Sequence, residues 1–423
     1  MKYLSLPALV LVFMMLLSLG AKQDPQQSGT SEEGGGGNVS DSTEAGKGFS
    51  EFDSELISFL EKSGMERESF MVSPTSYRAA LALAVSGANG ETKEQLLHAM
   101  GFQSEEEMNA WYQSVLDSVA FFGEDLNNAL KRFEEDEWLS DGEKPDRAFS
   151  IANSVWHNAG FDGSMSPKYI ERIRELYRAE AADVPAEQLT KEVNDWVNRQ
   201  TAGLIPSIAG DLSDTEAVLV NALYLRTSWI SSFSEYATET GEFTDIDGSK
   251  TEKEFMRHED DYLYYEDSGC QAVVLPMEGG ICAAFVLGDG SNIAEKLSKA
   301  TWEDVVVRLP KFEIESSFSN GELVDFLKAH GATLPLSGQA DFSAMCEDFP
   351  WCISDIIQKS KIKVDEDGIE AAAVTAILME TTSAFVEDPP QPKYFNADRP
   401  FSFYLFTGNT GSGELLFYGQ LVK

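Results

Sequence analysis

Apolar residues at Phe52, Leu56, Phe59 and Leu60 recur at helical spacing, so order begins near Phe49 with an amphipathic helix. A run dense in Ala and Leu predicts a buried helix over 74–86, and Thr92 with Gln95 reads as a capping box opening a helix to 100. The charged stretch 124–147, broken by Asp-Gly and Lys-Pro, predicts a helix end followed by an exposed excursion. Helical periodicity returns over 167–180 and 191–201. Beyond residue 217 the pattern becomes that of strands: 217–225, 271–276, 282–287, 305–315, 401–406 and 414–422, several apolar on both faces. Helices early and strands late, without regular alternation, predict an α+β fold.

Before that folded region lie two segments of other character. Lys2, the apolar run 4–19 and the small residues Ser18 and Gly20 read as a signal peptide over 1–21. Residues 22–47, with four consecutive glycines at 34–37, cannot bury enough apolar surface to order themselves and read as a flexible tether. A single domain over 48–423 follows, and the expected protein is exported, soluble and monomeric.

Charge narrows the partners. Seventy-one acidic residues against 32 basic ones leave a net charge of −39. Nucleic acid and glycosaminoglycans need clustered Lys and Arg, so neither is an expected partner. The four histidines are isolated, and no metal-ligand spacing, phosphate-cradling glycine loop or nucleophile elbow appears. No metal, no cofactor and no enzyme activity are therefore expected. The acidic runs 105–107 and 134–136 read as solvated faces. Among the four cysteines, a tight turn over 277–280 would set Cys282 opposite about residue 275, leaving Cys270 ~15 Å away. Cys346 and Cys352 close a short loop whose span permits a disulfide.

The unusual segment is 365–403. Its small residues, Ala371, Ala372 and Ala373, would favour helix on propensity alone. Alternate positions argue otherwise: Ile369, Ala371, Ala373, Thr375, Ile377 and Met379 form one small or apolar set, while Glu370 and Glu380 fall on the other. The stretch Asp388-Pro389-Pro390-Gln391-Pro392 suits neither helix nor central sheet. A loop of this length in a compact domain is usually functional.

At this point the sequence resembles the serpins, the serine protease inhibitors. The similarity runs from about Phe49 to Lys423 and rests on separated motifs. They are Val72-Ser73-Pro74 with Ser76, Gly87-Ala88-Asn89-Gly90-Glu91-Thr92, Asn194-Asp195-Trp196-Val197, and Leu219-Val220-Asn221-Ala222-Leu223-Tyr224 with Trp229 and Phe233. Leu309-Pro310-Lys311-Phe312, Asp341-Phe342-Ser343, the hinge-like Glu366–Thr375, Phe395-Asn396-Ala397-Asp398-Arg399-Pro400-Phe401 and Leu416-Phe417-Tyr418-Gly419 complete the set.

The resemblance implies a serpin fold: a large mixed central sheet, two further sheets, eight or nine helices and an exposed reactive loop. It implies a suicide substrate whose loop, once cut by a serine protease, inserts as a strand into the main sheet and traps the acyl-enzyme. The hinge would comprise Glu366, Gly368, Ile369, Glu370, Ala371, Ala372, Ala373, Val374 and Thr375. Ile369 and Val374 depart from the smaller residues usual in inhibitory relatives. Ser73, Ser76, Asn221 and Gln358 would form a polar cluster under the opening strands, and Trp229 would mark the breach where the sheet first parts. Counting forward from Gly368 puts the scissile bond at Thr382–Ser383; counting back from Phe395 puts it near Phe385 or Val386. A small residue before the bond, with no basic residue between Asp367 and Pro392, favours elastase-like or subtilisin-like proteases. The alternative implied by the same resemblance is a non-inhibitory binding or chaperone-like module.

Overall fold

The computed structural model describes residues 49–135, 144–319, 321–346, 351–353, 356–369, 391–408 and 413–423. In chain order the first half supplies α1 (Glu51–Lys62), β1 (Phe70–Val72), α2 (Pro74–Gly87), α3 (Gly90–Ala99), α4 (Glu105–Glu135), β2 (Ala148–Asn158), α5 (Pro167–Tyr177), β3 (Glu180–Val184), α6 (Ala186–Gln200) and β4 (Ala217–Ser228). The second half supplies β5 (Glu239–Thr244), β6 (Lys250–Glu266), β7 (Cys270–Met277), β8 (Ile281–Gly288), α7 (Ile293–Ser298), β9 (Thr301–Pro310), β10 (Phe312–Phe318) and α8 (Glu322–Ala329). The chain closes with β11 (Gln358–Val364), β12 (Gly368–Ile369), β13 (Lys393–Asn396), β14 (Phe401–Thr407) and β15 (Leu415–Leu421).

These strands form a six-stranded sheet, ordered β10-β11-β12-β4-β2-β3, and a nine-stranded one, ordered β1-β15-β14-β8-β7-β6-β9-β13 with β5 added to β6. Both are mixed, since β2–β3 and β13–β9 pair parallel while the other pairs run antiparallel. The α+β class follows the expectation, with eight α-helices among the described residues. The two further sheets expected beside the main one are hydrogen-bonded into the single nine-stranded ladder.

Helix α2 lies at the centre, and all of its residues are buried. Pro74 opens it without losing a needed donor, and the Ser73 hydroxyl caps it by accepting from the Ser76 N–H at 3.1 Å. Its Ala and Leu side chains join aromatic residues of α1, α4 and α5 in one core cluster. A second apolar layer fills the space between the two sheets. On the opposite face of the six-stranded sheet, Leu189, Val193 and Trp196 of α6 cover Val218, Val220 and Ala222 of β4. Strand β4 is thus covered by α6 on its even residues, while Ala217, Leu219, Leu223 and Leu225 pack on the other side.

Several expectations are corrected. Thr92 does not cap α3: Asn89 precedes the helix, and the Thr92 hydroxyl accepts from the Asp341 N–H at 2.9 Å instead. The apolar run 305–315 is two strands in different sheets, parted at Lys311, because Pro310 ends β9 with no N–H to continue a ladder. Strands β2, β3, β5 and β6 and most of the 31-residue α4 lie where no element was expected. The Cys346–Cys352 bond is not formed: Cys346 is buried in the core and Cys352 is exposed, so the two thiols face different environments. Cys282 sits opposite Pro276 and Cys270 opposite Gly288, six steps apart on one hairpin, and both are free.

Candidate functional site: the seam in the six-stranded sheet

Between β11 and β4, among the described residues, the sheet holds two residues, Gly368 and Ile369. Strand β12 runs antiparallel to both neighbours, with Ile369 opposite Val364 on one side and Thr227 on the other. Below Ile369 no ladder joins β11 to β4 among the described residues. Among the described residues the sheet therefore has a seam between these two strands that begins at the end of β12. Apolar Ala217, Leu219 and Leu223 beside it are only half-buried, although their strand is central.

The top of the seam is tightly held. Gly368 permits the entry: a Cβ there would lie 2.3 Å from the Thr227 carbonyl oxygen, and its φ of +154° disfavours other residues. Ile369 is 3 % exposed and packs in the layer that contains Leu225, Trp229, Ile362 and Val364, so its bulk is accommodated as the first inward residue. The Trp229 indole N–H donates to the Asp365 carbonyl at 2.9 Å, and the Trp229 backbone N–H donates to Asp367 at 3.0 Å. Phe233 N–H donates to the Glu366 carbonyl at 2.9 Å. The Glu366 carboxylate is buried against the Lys311 ammonium at 2.9 Å and accepts from the Thr238 hydroxyl at 2.7 Å. Burial pushes this carboxyl up, but the hydrogen bonds from Thr238 and Lys311 outweigh it and hold it below its ordinary value. Its partner Lys311 is shifted up by the same contact.

Beneath the seam the expected polar cluster is present in two halves. On the β11 side the Gln358 amide makes a two-point pair with Ser73, accepting from its N–H at 2.8 Å and donating to its carbonyl at 2.9 Å. Ser73 also donates its hydroxyl to the Leu416 carbonyl at 2.6 Å. On the β4 side the Ser76 hydroxyl donates to Asn221. Asn221 in turn donates to Asn153 Oδ1 at 2.6 Å, and Asn153 donates to the Tyr112 hydroxyl, which donates to the Tyr177 carbonyl at 3.2 Å. Helix α2 thus grips each side of the opening by a separate hydrogen-bond chain. Asn153 and Tyr112 were not anticipated; the Asn between Ala152 and Ser154, in the middle of the stretch 148–158, was the available signal.

Of the sequence-predicted residues, Ser73, Ser76, Asn221, Gln358, Trp229, Glu366, Gly368 and Ile369 all converge on the seam. Glu370, Ala371, Ala372, Ala373, Val374, Thr375, Thr382 and Ser383 lie outside the described residues, as do 1–21 and 22–47. Among the described residues no helix is long and apolar enough to cross a membrane.

Comparisons with known proteins accord with this architecture. The family model Serpin (serine protease inhibitor) matches residues 48–423. Serpin-Z1A of Triticum aestivum is 31% identical over 397 residues, covering 87% of this chain and 92% of that protein. The leukocyte elastase inhibitor of Bos taurus is 28% identical, covering 83% and 92%. Serpin48 of the insect Tenebrio molitor, a crystal structure described as a highly specific serpin, superposes with a TM-score of 0.70 at 25% identity, over 92% of this chain and all of that one. With a family model covering all but the N-terminal segment, the chain belongs to the serpin family of serine protease inhibitors.

Proposed function

We propose that the protein is an exported suicide-substrate inhibitor of serine proteases, cleaved at Thr382–Ser383. The attacking serine oxygen bonds to the Thr382 carbonyl carbon, the C–N bond to Ser383 breaks, and the amine leaves with Ser383. Thr382 is then held as an ester while the segment after Ile369 extends β12 into the seam. The protease is carried along and distorted before water completes hydrolysis.

The observation that supports this reading is the register of β12. Continuing its pairing, each step forward on the loop moves one step back on both neighbours. Ala371 then falls between Leu225 and Ile362, Ala373 between Leu223 and Ser360, and Thr375 between Asn221 and Gln358. Ile377 and Met379 come opposite Leu219 and Ala217, the apolar residues that the parted sheet leaves half-buried. The outward Glu370 falls between Arg226 and Lys363, so charge agrees with register as well. Small residues arrive above the polar cluster and larger apolar ones where there is surface to cover.

Thr382 before the cut favours an elastase-like or subtilisin-like target; the similarity to a leukocyte elastase inhibitor is in keeping with this. The test is incubation of the mature protein with pancreatic elastase and with subtilisin, followed by denaturing electrophoresis. A boiling-resistant band at the summed mass, with cleavage mapped to Thr382–Ser383, is expected. Quantitative cutting of the loop with no adduct from either enzyme would replace this reading by that of a non-inhibitory binding module.

A further inference from the structure

At the edge of the nine-stranded sheet, β13 pairs only with β9 among the described residues, in parallel over Lys393–Asn396. This short strand carries the downstream end of the segment whose upstream end enters the seam at β12. Strand β9 runs from Val305, opposite Lys393, toward Lys311 at Glu366, and β10 continues from there along β11. Lys393 therefore lies on the far side of the hinge from the seam. Seating the segment as far as Thr382 would place that residue ~43 Å beyond Ile369, at about 3.3 Å per residue. The ~11 residues from Ser383 to Lys393 span at most ~40 Å. An uncut chain thus cannot be seated that far while β13 stays on β9, whereas a chain cut at Thr382–Ser383 is free of the constraint.

What fixes β13 converges on Arg308 of β9. Its Nη1 donates to Asn396 Oδ1 at 2.9 Å, and its guanidinium carbon lies 3.6 Å from the centre of the Phe255 ring on β6. Its Nη2 takes up room that a glycine of β5 leaves open, since a Cβ at Gly241 would lie 2.2 Å from it. Burial lowers the guanidinium below its ordinary value, and Asp398 and Glu239 nearby offset part of that. Asp398 is itself held: its carboxylate accepts from the Asn396 amide at 2.7 Å, and its carbonyl accepts from the Thr244 N–H at 2.8 Å. Apart from these contacts and the ladder, β13 is anchored by the buried Phe395 and by an exposed pair between Lys393 and Glu266.

We infer that Arg308 is a positioning residue, a latch that joins β13 to β5, β6 and β9 and so sets how long the uncut chain keeps its loop out of the seam. The role rests on the inhibitor reading above, in which the uncut form must persist until a protease arrives. Loss of the latch frees β13 to leave the sheet edge, and the loop then fills the seam without being cut. The cut chain needs no such release, so Arg308 governs the unwanted insertion and leaves the productive one alone.

The test compares the parent with Arg308→Met and Asn396→Ala, each uncut and loop-cleaved. In the uncut proteins, hydrogen–deuterium exchange of amides 305–308 and 393–397 should be about tenfold faster or more in Arg308→Met. Asn396→Ala removes the acceptor from the other strand, should act in the same direction, and keeps the test open if Arg308→Met does not fold. Held warm below its melting temperature, uncut Arg308→Met should pass about tenfold sooner into a form that subtilisin no longer cuts within 370–390. After cleavage, the gain in melting temperature should develop at the parent's rate in both variants. Unchanged exchange at 393–397, conversion of the uncut variants at the parent's rate, or equal acceleration of cut and uncut forms would overturn the assignment. A cleaved parent that gains no melting temperature would sink the inhibitor reading instead, and exchange at 393–397 would still decide whether Arg308 holds β13.

Discussion

Removing the Asn153 side chain probes how firmly the parted sheet is held. Asn153 is 1 % exposed and joins two strands to α4: its Oδ1 accepts from Asn221 at 2.6 Å, and its Nδ2 donates to the Tyr112 hydroxyl. Asn153→Ala leaves an Asn221 donor and a Tyr112 acceptor site without their partner, both in buried surroundings. Each such loss costs about 1–3 kcal/mol, so the total is about 2–6 kcal/mol, with the truncated side chain adding a small void. At roughly 2–4 °C per kcal/mol for a large domain, the melting temperature of the uncut protein should fall by about 4–24 °C. Tyr112→Phe alone strands the Asn153 amide and also removes the donor to the Tyr177 carbonyl, each at a cost of about 1–3 kcal/mol. In the Asn153→Ala background its effect should be smaller, because the hydroxyl it removes no longer receives that bond. Circular dichroism melts of the four proteins give the cycle. Asn153→Ala melting within a degree of the parent, or the two costs simply adding, would refute the relay from α4 to the seam.

The remaining expectations concern the breach and the thiols. Glu366 has a lowered carboxyl, so its contribution is complete above the ordinary 4.5 and is lost as pH falls through its folded value. Melting of the parent should therefore drop on acidification below that point by more than melting of Glu366→Gln, and equal slopes would contradict this. Gly368→Ala sets a Cβ 2.3 Å from the Thr227 carbonyl oxygen and should displace β12, loosening the end of β11 so that trypsin cuts after the already exposed Lys363, a cleavage the parent resists. Of the four cysteines, Cys352 alone is exposed, and burial pushes the Cys282 thiol up to about 12. Aromatic disulfide reagents should hence titrate one thiol in the native protein and four after denaturation.

Much of the seam was legible in the sequence because its parts carry local signatures. Pro74 after Ser73 marks a capped helix start, Gly368 marks a backbone approach no other residue fits, and the alternation after Ile369 marks a strand. What was hidden depends on tertiary partners. Strand β6 reads as a charged segment, Lys250 to Glu266, because one face is solvated and only Phe255, Met256, Tyr262 and Tyr264 are buried. Helix α4 opens on three glutamates that suit the positive end of a helix but resemble a loop in isolation. Of these, Glu105 is paired with Lys93 at 2.7 Å. The inward positions are odd through Leu309 and even from Phe312, so Pro310 and the slip of phase beside it were the signals that the chain changes sheets. Asn153 and Tyr112 belong to no motif, since their roles arise from packing four elements together.

Hydrogen–deuterium exchange of the intact and the loop-cleaved protein tests the central claim most directly. If the segment after Ile369 fills the seam, amides of 217–227 and 358–364 should exchange far more slowly after cleavage, while those of the nine-stranded sheet change little. Unchanged exchange along both edges, in protein cut quantitatively within 370–390, would mean that the seam does not accept the loop.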